Sequence, residues 1–361
     1  MNNRSTLSTI IRGAHGLVAL MAAASPAAAA PPSPFATRVL DYSPAPGQRV
    51  NDPSFNDPTR ALGAPVGGGP YSPNNTKVVT LGGFGGSITL GFDHRILDRR
   101  HAAGGLDFIV FGNAFWAGGN PNRRYAEGAI IEISLDANGN GLADDPWFLV
   151  PGSHVPSPST AWYTQIWDDN LADPAYPPYV AGWVPFGRSG TWSTSGYKLP
   201  NPPFGASAVL TNPNGLGATV EGVWGYADLS PTLPLGDLDG DGIPDDPDME
   251  PEDFFTRPDD PRAVGITPGS CGGDAFDIGW TINPLTGLPA NLPGFDFIRI
   301  TTAVNAADPV LGEISAEISG VAEVRPRATT NDGSPFLRGA RRHRRRWSRT
   351  HGRVVRMRPS R

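Results

Sequence analysis

The chain has 361 residues, with 45 Gly, 39 Pro, a single cysteine and a formal net charge of −6. A lone Cys271 rules out an intrachain disulfide framework, and a chain this long can bury a full core without one. The charge is divided: 34 acidic against 14 basic side chains between Pro31 and Val324, a balance of −20, then 13 Arg and one acid, Asp332, from Arg325 onward. An acidic body has the wrong sign for phosphate backbones, which argues against nucleic acid as its partner.

Residues 1–30 have the make-up of a secretion signal. Arg4 and Arg12 form a cationic start, Gly16 to Ala24 a short apolar stretch, and Ala27 to Ala30 offer small residues for cleavage. The apolar stretch is far shorter than the ~20 residues of a membrane span, so a secreted or cell-surface protein with no transmembrane segment is expected. Residues 31–76, rich in Pro, Asp and Ser, read as an irregular segment packed on the main domain, residues 77–324. That domain opens with short strands: Val78 to Leu81, Ser87 to Phe92 with Ile88, Leu90 and Phe92 on one face, and Leu106 to Phe111. Abundant Gly and Pro, few helix-forming runs and repeated strand–turn signals point to an all-β fold, a β-sandwich or jelly roll with long loops.

Ala129 to Ser134 alternates as a half-buried strand, and Trp147 to Val150 forms a second one, stopped by Pro151 and Gly152. Between them Asp136, Asn138, Asn140 and Asp144 occupy loop positions 1, 3, 5 and 9, with Gly141 at 6 and the Leu142 carbonyl at 7. Alternate oxygen side chains in a tight loop suit Ca²⁺, a hard cation that takes about six to eight oxygens. Position 12 is Trp147, and strands flank the loop, so it reads as a calcium loop set in a sheet rather than an EF-hand.

From Ser157 to Gly205 the chain is dense in Trp, Tyr, Pro and Gly without a sustained period, the pattern of long loops over one end of the domain. Large rings there serve packing. Alternatively Trp162, Trp167, Trp183 and Trp192 line a sugar or peptide site, with Asp168, Asp169 or Arg188 supplying polar contacts. After a strand from Thr219 to Tyr226 comes a second loop, with Asp237, Asp239, Asp241, Asp245 and Asp248 at positions 1, 3, 5, 9 and 12 and the Ile243 carbonyl at 7. It is similar to the acidic calcium repeats of thrombospondin type 3 segments and dockerins. Carboxylates ~4 Å apart repel by ~4 kcal/mol at an effective dielectric near 20, and a divalent cation removes that cost. Asp274 and Asp277 lead into a turn and strand or add oxygens to a metal site, and the final strands are expected at Phe297 to Thr302 and Ile314 to Val324. Residues 325–361, nearly free of apolar side chains, read as a disordered Arg-rich tail able to contact anionic surfaces.

Six segments taken together, LGGFGGSITLGFDHRI, GLDFIVFGNAF, SLDANGNGLADDPWFLVPGS, GGDAFDI, FDFIRITTAVN and LGEISAEISGV, resemble a family of bacterial secreted cell-surface proteins. The resemblance spans Lys77 to Val324 and implies a galactose-binding-like jelly roll, export, calcium loops and a binding or adhesive role. The Arg-rich end departs from the surface-sorting segment of that family.

No catalytic motif is found: His94, His101 and His154 fit no metal pattern, and there is no nucleophile elbow or P-loop. The expected function is a secreted, calcium-binding adhesion or binding module with carbohydrate as a candidate ligand. The alternatives are a carbohydrate-active hydrolase using paired carboxylates, or a matrix protein in which calcium only braces the fold.

Overall fold

Strand-forming alternation dominates the computed structural model, which describes residues 32–99, 106–116, 118, 124–152, 162–169, 183–199, 225–234, 272–308 and 312–324. Ser33–Arg361 forms one compact unit, and it contains all the strands among the described residues. In chain order the strands are β1 (Arg38–Ser43), β2 (Val79–Thr80), β3 (Ser87–Leu97), β4 (Phe108–Phe111), β5 (Phe115–Trp116), β6 (Arg124–Tyr125), β7 (Ala129–Ser134) and β8 (Trp147–Val150). Then come β9 (Trp162–Asp168), β10 (Thr191–Tyr197), β11 (Asp274–Phe276), β12 (Gly294–Thr302), β13 (Ala307–Asp308), β14 (Gly312–Glu313), β15 (Glu317–Ile318) and β16 (Gly320–Glu323). Among the described residues the helical elements are short 3-10 turns, and no helix is long and apolar enough to cross a membrane.

The largest sheet has the order β1-β3-β12-β7-β8, and a three-stranded sheet has the order β11-β4-β16. Every pairing between named strands is antiparallel. Side chains alternate across a strand, so the register sorts the five-stranded sheet into two faces. On the inner face Ile88, Leu90, Ile131, Ile133, Val150, Ile298 and Ile300 share one buried cluster with Phe108, Val110 and Val321 of the three-stranded sheet. Each such side chain stabilises the fold by about 1.5–3 kcal/mol on burial. Phe295 sits at the cluster's aromatic centre, edge-on to Phe92 at 5.7 Å and to Phe108 at 5.0 Å.

Ala129 to Ser134 reads as a half-buried strand, but all six residues of β7 are buried. The reason is that its outer face is covered as well: Ile130 packs in a second cluster with Leu149, Tyr197 and Leu199. The stretch taken as irregular contributes β1, which pairs with β3 across a register shift between Val39 and Asp41. Such a bulge breaks the strict alternation by which a strand is recognised.

The aromatic-rich segment likewise contains a hairpin in place of uninterrupted loops, with β9 and β10 paired from Thr191↔Asp168 to Tyr197↔Trp162. Its sequence lacks apolar alternation because Thr, Ser and Gly fill much of it. It closes down on the loop before β3: Thr194 Oγ1 donates to the Phe84 carbonyl at 2.6 Å. Gly85, at φ +78, is required there, since a Cβ would lie 2.7 Å from the Thr194 side chain.

Candidate functional site

The outer face of the five-stranded sheet is built from the same strands as the core, one residue out of phase. It presents Asp41 and Ser43 from β1, Ser87 and Thr89 from β3, Arg299 and Thr301 from β12, Ile130 and Glu132 from β7, and Trp147 from β8. Arg299 and Glu132 are direct cross-strand partners. Arg299 donates through Nε and Nη2 to Glu132 Oε2 at 2.9 and 2.8 Å. The guanidinium also lies over the Trp147 ring, 4.4 Å from its centre. Charge pairing and ring contact therefore fix one cation in the middle of a hydroxyl-bearing surface.

The β9–β10 hairpin, with Arg188 between its strands, and the loop between β7 and β8 wall this surface into a groove. A cavity of about 510 Å³ is lined by Ser87, Thr89, Trp147, Ser193, Thr194, Arg188 and Arg299, with Leu142 and Ala143 at its edge. A smaller one of about 130 Å³ is lined by Ile130, Glu132, Trp162, Ser195, Tyr197 and Thr301. The two share Ser87 and Arg299. Trp162 and Tyr197 meet edge to face at 5.2 Å. Burial first, and the Glu132 carboxylate second, push the Tyr197 hydroxyl up to about 12, so it stays protonated as a donor.

The four tryptophans singled out in the sequence are distributed differently. Trp162 is 53% exposed and lines the smaller cavity. Trp167 is 1% exposed and donates Nε1 to Thr194 Oγ1 at 2.7 Å, so it packs the hairpin and presents no surface to a ligand. Trp183 and Trp192 are half-buried and line neither cavity. Arg188 lines the larger cavity, whereas Asp168 accepts from Thr191 Oγ1 at 3.1 Å and Asp169 lines neither. Trp147, Arg299 and Glu132 were not singled out as ligand contacts. The signal for the last two was a charge of opposite sign in each of two apolar-rich strands, Glu132 alone in β7 and Arg299 together with Asp296 in β12.

The loop joining β7 to β8 stands at the edge of this groove. Asp136 accepts the Asn140 and Gly141 amides at 3.0 and 2.8 Å, and Asn140 Oδ1 accepts the Leu142 amide at 2.8 Å. Asn138 and Asn140 both donate their side-chain amides to Asp144. Side chains 1, 3, 5 and 9 therefore converge on one another, and Gly139 and Gly141 supply the left-handed backbone that the turn requires. Asp296, at the bulge in β12, accepts the Asp136 amide at 2.8 Å and pairs with Arg95 at 2.9 Å, tying the loop to the sheet. The donor set fits a hard cation held by Asp136, Asn138, Asn140, Asp144 and the Leu142 carbonyl. The second acidic loop, Asp237, Asp239, Asp241, Ile243, Asp245 and Asp248, lies outside the described residues, as do Cys271, His101 and His154.

Two further acidic groups, each assembled from distant parts of the chain, could hold a metal ion: Glu127, Asp228 and Glu317, and Asp98, Asp107 and Asp277. Within each, carboxylate oxygens lie within 4.8 Å of one another. Asp228 is buried at φ 58 and accepts the amides of Asn113, Ala114 and Glu317 at 2.9, 3.0 and 3.1 Å. Gly112 must be glycine beside it, because a Cβ would lie 2.1 Å from Asp228 Oδ1. Burial, then the neighbouring Glu127 charge, pushes both Asp228 and Glu317 well above the usual carboxylate range.

Asp107 accepts the Arg99 and Ile278 amides at 2.8 and 2.9 Å, and burial pushes its carboxyl up to about 7. Asp277 caps a 3-10 turn through the Gly279 amide at 2.6 Å, while Asp274 accepts the Leu229 amide at 2.9 Å. His94 bridges Asp93 at 2.7 Å and Glu323 at 2.9 Å. None of these groups lines either cavity of the groove.

No protein-family model matches the chain, and a search of curated proteins finds no match. The family resemblance therefore rests on its motifs alone.

Proposed function

We propose that this protein is a secreted, calcium-braced jelly-roll sandwich that binds carbohydrate at the cell surface through the groove on its five-stranded sheet. The observation that carries this reading is the groove's lining. Ser and Thr hydroxyls, each able to donate and accept, alternate with the rings of Trp147, Trp162 and Tyr197 around a clamped Arg299–Glu132 pair. A sugar ring has the complementary character, hydroxyls at its edge and C–H groups on its faces. In support of the sandwich, one core cluster joins residues of the five- and three-stranded sheets.

Calcium on Asp136, Asn138, Asn140, Asp144 and the Leu142 carbonyl would hold the groove's edge in place, since Leu142 and Ala143 belong to both features. The five carboxylates at positions 1, 3, 5, 9 and 12 of the loop from Asp237 to Asp248 form the stronger calcium set by charge. Binding is favoured over hydrolysis by the placement of the carboxyls that burial displaces upward: Asp107, Asp228 and Glu317 line neither cavity of the groove.

The full chain with calcium, applied to an array of plant, fungal and bacterial glycans, should retain at least one glycan without cleaving it. Cleavage of a retained glycan would establish the hydrolase alternative. Retention of none, together with a melting temperature raised by calcium, would leave a bracing role alone.

A further inference from the structure

We infer that the groove takes a neutral glycan chain laid across two subsites that meet at Arg299. This deepens the carbohydrate reading above and rests on it. The two cavities share Ser87 and Arg299, so they adjoin at those side chains, with Trp147 lining the larger one and Trp162 the smaller. The larger cavity, at about 510 Å³, falls in the range of small-ligand sites, roughly 300–1,000 Å³. The smaller, at about 130 Å³, suits an adjoining unit held from one side.

Charge selects the class of chain. The groove's ionisable lining is balanced, with Arg188 and Arg299 against Asp41 and Glu132. Arg299 and Glu132 neutralise each other at 2.8 Å. No net positive field is left to hold uronate or sulfate groups. Outside the groove the body's surplus of acids repels a polyanion over the Debye length of about 10 Å at 0.1 M salt.

What the ion pair leaves open is suited to a neutral ligand. Nε and Nη2 of Arg299 and Oε2 of Glu132 are engaged, so the two N–H groups on Arg299 Nη1 and the Glu132 Oε1 acceptor are left for vicinal hydroxyls. Trp162, exposed at the far end, supplies the ring face for the second subsite.

The test is calorimetry of the full chain with calcium against di- and hexasaccharides of the cello, manno, xylo and malto series and against hexagalacturonate. At least one neutral hexaose should bind at least about tenfold more tightly than its disaccharide, a difference of ~1.4 kcal/mol, and hexagalacturonate should not displace it from the groove. Trp162→Ala, with an unchanged melting curve, should bring the hexaose affinity down to the disaccharide level while leaving the disaccharide unaffected. Equal affinity for disaccharide and hexaose, or a full hexaose affinity in Trp162→Ala, would overturn the two-subsite arrangement. Displacement of the neutral hexaose by hexagalacturonate would overturn the neutral class yet leave carbohydrate binding standing. Failure of every saccharide would remove the carbohydrate reading itself.

Discussion

The two faces of the five-stranded sheet are cut from the same strands yet obey different rules. On β7, Ile131 and Ile133 enter the main core, whereas Ile130 and Glu132 face the hairpin and groove. On β12, Ile298 and Ile300 face inward, and Arg299 and Thr301 outward. The inner face is held by area removed from water, which is indifferent to which apolar neighbour supplies it. The outer face combines an apolar cluster around Ile130, Leu149 and Tyr197 with one cross-strand ion pair and a ring over its guanidinium. The apolar core and the polar groove are thus separated by a single residue of register.

That separation is most severely tested at Phe295. Phe295→Ala should cost about 3–5 kcal/mol by opening a cavity between Phe92 and Phe108, read as a shifted urea midpoint, while the fraction still folded keeps its glycan affinity. A loss of affinity in folded protein would show that the faces are coupled.

Arg299→Ala should cost less, about 1–3 kcal/mol, because the guanidinium is part-exposed and its loss strands the buried Glu132 carboxylate. Glycan binding should disappear with it. Adding Glu132→Leu should restore much of the melting temperature without restoring binding, which separates the two roles.

The buried acids predict a pH dependence that belongs to the fold and not to the groove. A carboxyl whose folded-state pKa lies above its unfolded value stabilises the fold only while protonated. With Asp107 raised from 3.8 to about 7, and Asp228 and Glu317 also raised, melting in chelator should weaken by several degrees as pH rises from about 4 to about 7. Asp107→Asn should flatten part of that slope. Calcium should flatten the rest if an ion occupies either acidic group, and an unchanged slope in calcium would leave protons as their sole neutraliser.

The smallest effect on stability is expected at the loop between β7 and β8. Asp136→Ala should lower the melting temperature by only a degree or two but weaken glycan affinity severalfold, because Leu142 and Ala143 border the groove. Chelator should do the same to the unmodified chain, and affinity indifferent to chelator would detach the loop from the groove. For the second acidic loop, Asp237→Ala with Asp241→Ala should reduce the calcium bound in a calorimetric titration, and an undiminished titration would refute its assignment as a calcium site.

Local pattern carried much of the fold. The alternation around Ile131 and Ile133 and the stop at Pro151 marked two strands that do pair across the Asp136–Asp145 loop. The aromatic segment failed to announce its hairpin, because Ser193, Thr194, Ser195 and Gly196 pack against backbone and hydroxyls and leave no apolar period. Trp167 could not be told from Trp162 by composition: both are tryptophans in one strand, five residues apart, and only the covering of one face buries the first.

What the chain determined by itself was local: all-β character, the loop spacing of Asp136, Asn138, Asn140 and Asp144, and the apolar faces of β3, β7 and β12, since neighbours in sequence suffice for period and turn chemistry. What tertiary structure alone decided was convergence. Glu127, Asp228 and Glu317 meet across some 190 residues, and Arg299 finds Glu132 and Trp147 only once β12 has paired with β7. Electrostatic and ring contacts act over a few ångströms of space, whatever the separation along the chain, and strand register sets those distances.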